Sequence, residues 1–127
     1  MSRRREGFVY VVDDDDDVRE STIELLKSAG VDARGAASAR CFLETFDSSA
    51  SCIILDLHMP DISGFRTLEI LRGRGNQVPV VLFSGRSDLA SENFAKQSGA
   101  RALLAKPFDQ DVLIELVQHI LAEADAC

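Results

Sequence analysis

The residues Phe8-Val9-Tyr10-Val11-Val12 run straight into Asp13-Asp14, and three more short apolar runs end in the same manner. Cys52-Ile53-Ile54-Leu55 runs into Asp56, Val80-Val81-Leu82-Phe83 into Ser84, and Ala102-Leu103-Leu104-Ala105 into Lys106-Pro107. Read as parallel strands of one sheet, they bring all four polar ends to one edge. Ligands of open α/β sheets bind outside the carboxyl ends of the strands. That edge would gather three carboxylates, a hydroxyl and an ammonium, an inventory suited to a divalent cation and a phosphoryl group.

Helical patterns separate these runs. The first helix starts near Asp15 to Asp17, where Asp is a good N-cap and acids suit the helix dipole. Val18, Thr22, Leu25, Leu26 and Ala29 recur on one face, and Gly30 is placed to end the helix in the left-handed region. A weak strand follows around Asp32 to Ala36, then a helix from about Ala39 to Phe46 capped by Ser38. The third helix carries Phe65, Leu68 and Leu71 and ends in Gly73-Arg74-Gly75-Asn76. The fourth, roughly Asp88 to Ser98, is thin in apolar residues, and Gly99 ends it. The last begins at Asp109 with a core-facing stripe of Val112, Leu113, Leu116, Val117, Ile120 and Leu121.

Strict alternation of five strands with five helices is the mark of βαβ units. Three strands are apolar without alternation, as expected when helices cover both faces. The expected fold is therefore α/β: a doubly wound, five-stranded parallel sheet of the flavodoxin-like order 2-1-3-4-5. That order sets the first strand beside the third, ~4.8 Å apart, so Asp13 and Asp14 should adjoin Asp56.

Composition narrows the function. The chain of 127 residues is read as one domain, residues 1–127 with a core at about 7–124, and a 46% hydrophobic content places it among globular proteins. No apolar run approaches the ~18 residues of a membrane span, and the opening is read as a strand rather than a signal peptide, so the expected location is the cytoplasm. A net charge of -7 argues against direct nucleic-acid binding, and Arg3-Arg4-Arg5 reads as a solvated tail. Cys41, Cys52 and Cys127 have no zinc or disulfide spacing; Cys52 reads as a small buried hydrophobe and Cys127 as an exposed thiol.

Three carboxylates this close repel. Two unit charges 4 Å apart cost ~4 kcal/mol at an effective dielectric of 20. A bound Mg²⁺ would remove that cost while sharing oxygens with phosphate. A carboxylate is also a competent nucleophile toward phosphorus. Lys106 would add charge, and Ser84 a hydrogen bond. Asp15 to Asp17 read more simply as an acidic helix start. A lone histidine in a loop, such as His58, is more often neither ligand nor catalyst, and His119 receives no role.

These stretches resemble the response-regulator receiver domains of two-component signalling. The matching segments are Val11-Val12-Asp13-Asp14, Ile54 through Gly64 (Ile54-Leu55-Asp56-Leu57-His58-Met59-Pro60-Asp61-Ile62-Ser63-Gly64), Val80 through Gly85, and Gly99-Ala100 through Lys106-Pro107-Phe108. The resemblance implies that Asp56 is the phosphoacceptor, that Asp14 is a direct Mg²⁺ ligand and Asp13 one acting largely through water, and that the backbone carbonyl of His58 completes the shell. It implies that Ser84 is the switch hydroxyl and Lys106 the phosphate-binding lysine, followed by a peptide bond that is commonly cis. The donor would be a phosphohistidine on a sensor histidine kinase. Such a chain is no enzyme in the ordinary sense, but catalyses its own phosphorylation and dephosphorylation. The family usually has Tyr or Phe three residues before the lysine; here Leu103 stands there, so no aromatic ring at that position can follow the hydroxyl.

The wording Ser38-Ala39 with Phe42-Leu43, and Leu82 through Arg86, is similar to FixJ/NarL-type receivers, which usually precede a DNA-binding domain. Control of transcription through such a domain, outside this chain, is one expectation. A stand-alone regulator or phosphorelay intermediate is the alternative. A Mg²⁺-dependent phosphohydrolase is disfavoured, because Asp56-Leu57-His58 is not an Asp-x-Asp nucleophile motif and no cap could be accommodated. The weak apolar stripe of the fourth helix makes it easy to move, so the expected output face is the fourth helix, fifth strand and fifth helix. The same face would serve a homodimer formed on phosphorylation.

Overall fold

The computed structural model describes residues 8–85 and 89–125. The Arg3 to Arg5 run, the loop residues Arg86 and Ser87, the helix start expected at Asp88, and Cys127 lie outside them. Elements alternate throughout: β1 (Val9–Val12), α1 (Asp16–Ser28), β2 (Ala33–Ala36), α2 (Ala39–Thr45), β3 (Cys52–Asp56), α3 (Gly64–Gly73), β4 (Val80–Ser84), α4 (Leu89–Ser98), β5 (Ala102–Ala105) and α5 (Gln110–Asp125). The strands form one five-stranded sheet in the order β2-β1-β3-β4-β5, and every neighbouring pair is parallel. Fold class and strand order agree with the reading of the sequence.

β1, β3 and β4 are buried along their whole length, which is why their sequences are apolar without alternation. Side chains leave each strand alternately on two faces. Tyr10, Val12, Ile53, Leu55, Val80 and Leu82 point to one face, under Phe42 of α2, Leu68 and Leu71 of α3 and Ala95 of α4. Val9, Val11, Cys52, Ile54, Val81 and Phe83 point to the other, under Leu26 of α1 and Leu113, Val117 and Ile120 of α5. Cys52 is thus the small hydrophobe expected, and burial pushes its thiol up to about 12. The side chain of Cys41 in α2 is exposed.

Local signals set the helix ends. Asp15 accepts from the backbone N–H groups of Asp17 (3.0 Å) and Val18 (3.2 Å), and Ser38 accepts from that of Cys41 (3.0 Å). Ser63 caps α3 through the N–H of Arg66 (3.2 Å), and Asp109 caps α5 through those of Asp111 (2.9 Å) and Val112 (3.2 Å). Gly30 (φ 82°) follows α1 in the left-handed region. One expectation fails: Val112 is 47% exposed and not part of the core stripe. Leu113, Val117 and Ile120 share the buried face at i, i+4 and i+7, and Val112, a residue earlier, is turned ~100° away.

Gly64 fixes how α3 meets the end of β3. A Cβ there would lie 2.3 Å from the backbone oxygen of Asp56 and 2.6 Å from the Cα of Leu57, and the Gly64 N–H donates to the Leu57 carbonyl at 2.9 Å. Only backbone faces backbone at this point, so nothing flexible can yield. Gly73, in the last turn of the same helix, has open space around it. In urea denaturation, Gly64→Ala is expected to cost about 3 kcal/mol or more, because backbone rather than a side chain must shift. Gly73→Ala is expected to be neutral or to stabilise by up to ~1 kcal/mol, because it only removes freedom from the unfolded chain.

Candidate phosphoacceptor and metal site

The sheet ladder continues one step past the strands, and this step places the candidate residues. The Asp13 N–H donates to the Ala36 carbonyl (3.2 Å), that of Leu57 to the Phe83 carbonyl (2.9 Å), and that of Lys106 to the Ser84 carbonyl (2.9 Å). Register pairs Asp56 with Phe83 and Ser84 with Ala105. Five polar side chains named from the sequence therefore converge at one edge: Asp13, Asp14, Asp56, Ser84 and Lys106.

One carboxylate oxygen from each of Asp13, Asp14 and Asp56 lies within 4.8 Å of the others. Asp13 and Asp56 are buried, at 1% and 4% exposure, while Asp14 faces solvent. The Lys106 ammonium lies 2.7 Å from Asp13 Oδ2 and 3.4 Å from Asp56 Oδ2. The other oxygen of each buried acid takes a backbone donor: Asp15 N–H to Asp13 Oδ1 at 3.0 Å, and His58 N–H to Asp56 Oδ1 at 3.1 Å. The Lys106-Pro107 bond is cis.

Burial pushes the Asp56 carboxyl up. The His58 N–H pulls it down, the Asp13 charge pushes it up, and the Lys106 ammonium pulls it down again; the net direction is upward. Burial opposes the Lys106 ammonium, but its hydrogen bond to Asp13 and the charges of Asp13 and Asp56 outweigh that and hold it above the ordinary lysine value. One ammonium thus pairs with two of three clustered carboxylates, and the cluster is left with an excess of negative charge.

That cluster fits Mg²⁺. Its donors are all hard oxygens, two of them fixed by backbone hydrogen bonds, and the exposed Asp14 leaves a side open to the waters that Mg²⁺ retains. Among the described residues the cluster holds only carboxylates, a donor set that suits a hard cation better than zinc.

His58 has more to do than its sequence position suggested. Its ring Nε2 lies 3.2 Å from Ser84 Oγ, and Ser84 is 1% exposed. Two further residues escaped the sequence reading. Arg19 of α1 donates from Nη1 to the Asp13 carbonyl (2.9 Å) and pairs through Nη2 with Asp16 (2.6 Å), anchoring the backbone that presents Asp13 and Asp14. Asp61 accepts from the Arg40 N–H (3.1 Å) at the start of α2. Burial pushes its carboxyl up, but backbone donors from Ile62, Arg40 and Ala39 together outweigh that and hold it below the usual range. Asp61 so ties the loop after β3 to a neighbouring helix. The i, i+3 spacing of Asp16 and Arg19 hints at the Arg19 contact in sequence, whereas nothing local joins Asp61 to Arg40, 21 residues away.

The family model for the response regulator receiver domain matches residues 9–118. The transcriptional regulatory protein FixJ of Azorhizobium caulinodans is 38% identical over 117 residues, covering 91% of this chain and 56% of that protein. The response regulator protein TodT of Pseudomonas putida is 33% identical over 118 residues, 92% of this chain and 52% of that protein. The chain therefore spans about half the length of the curated relatives it matches. Among solved structures, a response regulator receiver protein from Pseudoalteromonas atlantica superposes with a TM-score of 0.86 at 30% identity, covering 92% of this chain and 98% of that one. The response regulator StyR superposes with a TM-score of 0.85 at 33% identity, over 92% of this chain and 60% of that one. Sheet order, acidic edge and these matches agree: the chain belongs to the response regulator receiver domain family.

Proposed function

We propose that Asp56 accepts a phosphoryl group from the phosphohistidine of a sensor kinase, and that the modified domain controls transcription. The convergence of Asp13, Asp14, Asp56 and Lys106 at one buried edge, with the Ser84 hydroxyl on the adjoining strand, carries this reading. An Asp56 carboxylate oxygen attacks phosphorus, a new P–O bond forms, and the P–N bond to the donor imidazole breaks with its electron pair left on nitrogen. The His58 N–H holds the other Asp56 oxygen and so fixes which lone pairs face the donor. Lys106 moves its share of charge from the Asp56 carboxylate to the phosphoryl oxygens, and Ser84 Oγ donates to one of them. Mg²⁺ held by Asp13, Asp14, Asp56 and the His58 backbone carbonyl would neutralise the remaining charge on those oxygens. Hydrolysis of the aspartyl phosphate by water at the same edge returns the domain to its starting state.

The output face of this reading is α4, β5 and α5, through which two phosphorylated copies would also pair. α4 supports it: among its described side chains only Ser91 and Ala95 are buried, so few contacts hold it in place. The names of the relatives FixJ and TodT support transcription as the output. A stand-alone regulator would use the same chemistry and differ only in what α4–α5 touches.

Incubation with acetyl phosphate and Mg²⁺, followed by intact mass, is expected to show one added phosphoryl group, located on Asp56. Asp56→Asn, or wild type in chelator, is expected to show none; full labelling of either would refute the assignment. Turnover of acetyl phosphate without a retained group would instead indicate a hydrolase. Mg²⁺ at 100 times its dissociation constant is expected to stabilise the protein by ~2.7 kcal/mol, roughly 10 °C in melting temperature. Asp14→Ala should lose most of that gain, and an equal gain in both proteins would place the metal elsewhere.

A further inference from the structure

His58 touches the edge twice. Its backbone N–H holds Asp56 at 3.1 Å, and its ring Nε2 lies 3.2 Å from Ser84 Oγ. The two groups between which a phosphoryl would sit are thus held by one residue of the loop after β3. The imidazole also packs edge-on against Phe65 of α3, with centroids 6.0 Å apart. Phe65 in turn packs edge-on against Phe94 of α4, with centroids 4.7 Å apart. Contact is therefore continuous from the end of β4 through three rings to α4.

We propose that His58 is a positioning residue for Ser84: its ring holds the hydroxyl in the unphosphorylated protein, and release of that contact reaches α4 through Phe65 and Phe94. The proposal rests on the reading of Asp56 and Ser84 given above. Either neutral tautomer of the ring can make the contact, because the serine hydroxyl both donates and accepts. Ser84 is buried, so giving up the contact with the ring carries a cost that a new partner must offset. A phosphoryl on Asp56 offers a charge-assisted bond, about twice as strong as a neutral one. His58 therefore delays closure of Ser84 without preventing it. Once the hydroxyl leaves, the ring loses its polar contact on one side and keeps Phe65 on the other. The three half-buried rings touch edge to face, so a shift of the imidazole is passed to Phe65 and Phe94 through those contacts. Half-buried Leu103 on β5 packs against the same face of the core as Phe65 and Phe94 and offers no ring of its own.

The test uses this chain with Mg²⁺ and acetyl phosphate, reading the rate of Asp56 labelling by mass and amide exchange of residues 89–98 before and after labelling. His58→Ala is expected to label about fivefold faster than wild type, the factor for one neutral hydrogen bond. His58→Gln, which restores a polar partner, should return toward the wild-type rate. In a Ser84→Ala background, His58→Ala should change nothing. Phe65→Leu should label at the wild-type rate, yet its exchange change in α4 should be muted. An unaltered rate in His58→Ala, persistence of its acceleration without Ser84, or an undiminished α4 response in Phe65→Leu overturns the proposal while leaving Asp56 labelling intact. A wild-type chain that takes no phosphoryl group overturns the Asp56 reading, and the role of His58 with it.

Discussion

The Lys106 ammonium, 2.7 Å from Asp13 and 3.4 Å from Asp56, is the contact on which the functional edge depends. It joins β5, at one border of the sheet, to the ends of β1 and β3, crossing above β4. A buried carboxylate without a partner is costly, and two side by side are worse. Lys106 offsets part of that cost for Asp13 and Asp56 together and leaves Asp14 facing solvent. The balance is incomplete by construction. A fully neutral edge would be stable and inert, whereas one that keeps excess negative charge has a standing affinity for a cation. A bound cation would let such an edge tolerate the incoming phosphoryl group of the proposed reaction.

The rest of the fold serves this imbalance. Parallel pairing in the order β2-β1-β3-β4-β5 brings residues distant in sequence to one line, and the ladder runs one residue beyond the strands to hold them there. Close contact of Gly64 with Asp56 and Leu57 brings α3 against the site, and the Asp61 contact at α2 fixes the loop between. Arg19 holds the backbone before α1. These contacts come from three helices, so the site is rigid on the side of β1 and β3. On the side of β4 and β5 the neighbouring helix, α4, is thinly packed, and movement is least costly there. On the proposed reading, this asymmetry would give phosphorylation of Asp56 a direction in which to act.

Much of this was legible in sequence because the signals are local or periodic. Uninterrupted apolar runs identified β1, β3 and β4, and a polar residue at the end of each located the site. Asp15, Ser38 and Asp109 declared helix starts through contacts two or three residues away. Val112 misled because adjacent apolar residues on a helix look alike in a list but lie ~100° apart on the cylinder. Arg19, Asp61 and the His58 ring were missed for another reason. Their partners are Asp13, Arg40 and Ser84, and in the last two cases only the folded sheet and its loops bring the groups together. A histidine two residues after Asp56 gave no sign that its ring reaches from the end of β3 to Ser84 on β4.

On this view the folded edge holds Asp56 against its own charge until a cation arrives. Carbon-13 NMR titration of the aspartate carboxyl groups, with and without Mg²⁺, is the decisive measurement. Without metal, the Asp56 carboxyl should titrate above the ordinary aspartate value, because burial and Asp13 outweigh Lys106 and the His58 N–H. With saturating Mg²⁺ the same carboxyl should titrate lower, since a cation favours its ionised form. An Asp56 that titrates at or below the ordinary value without metal, and does not move when Mg²⁺ is added, would contradict the claim.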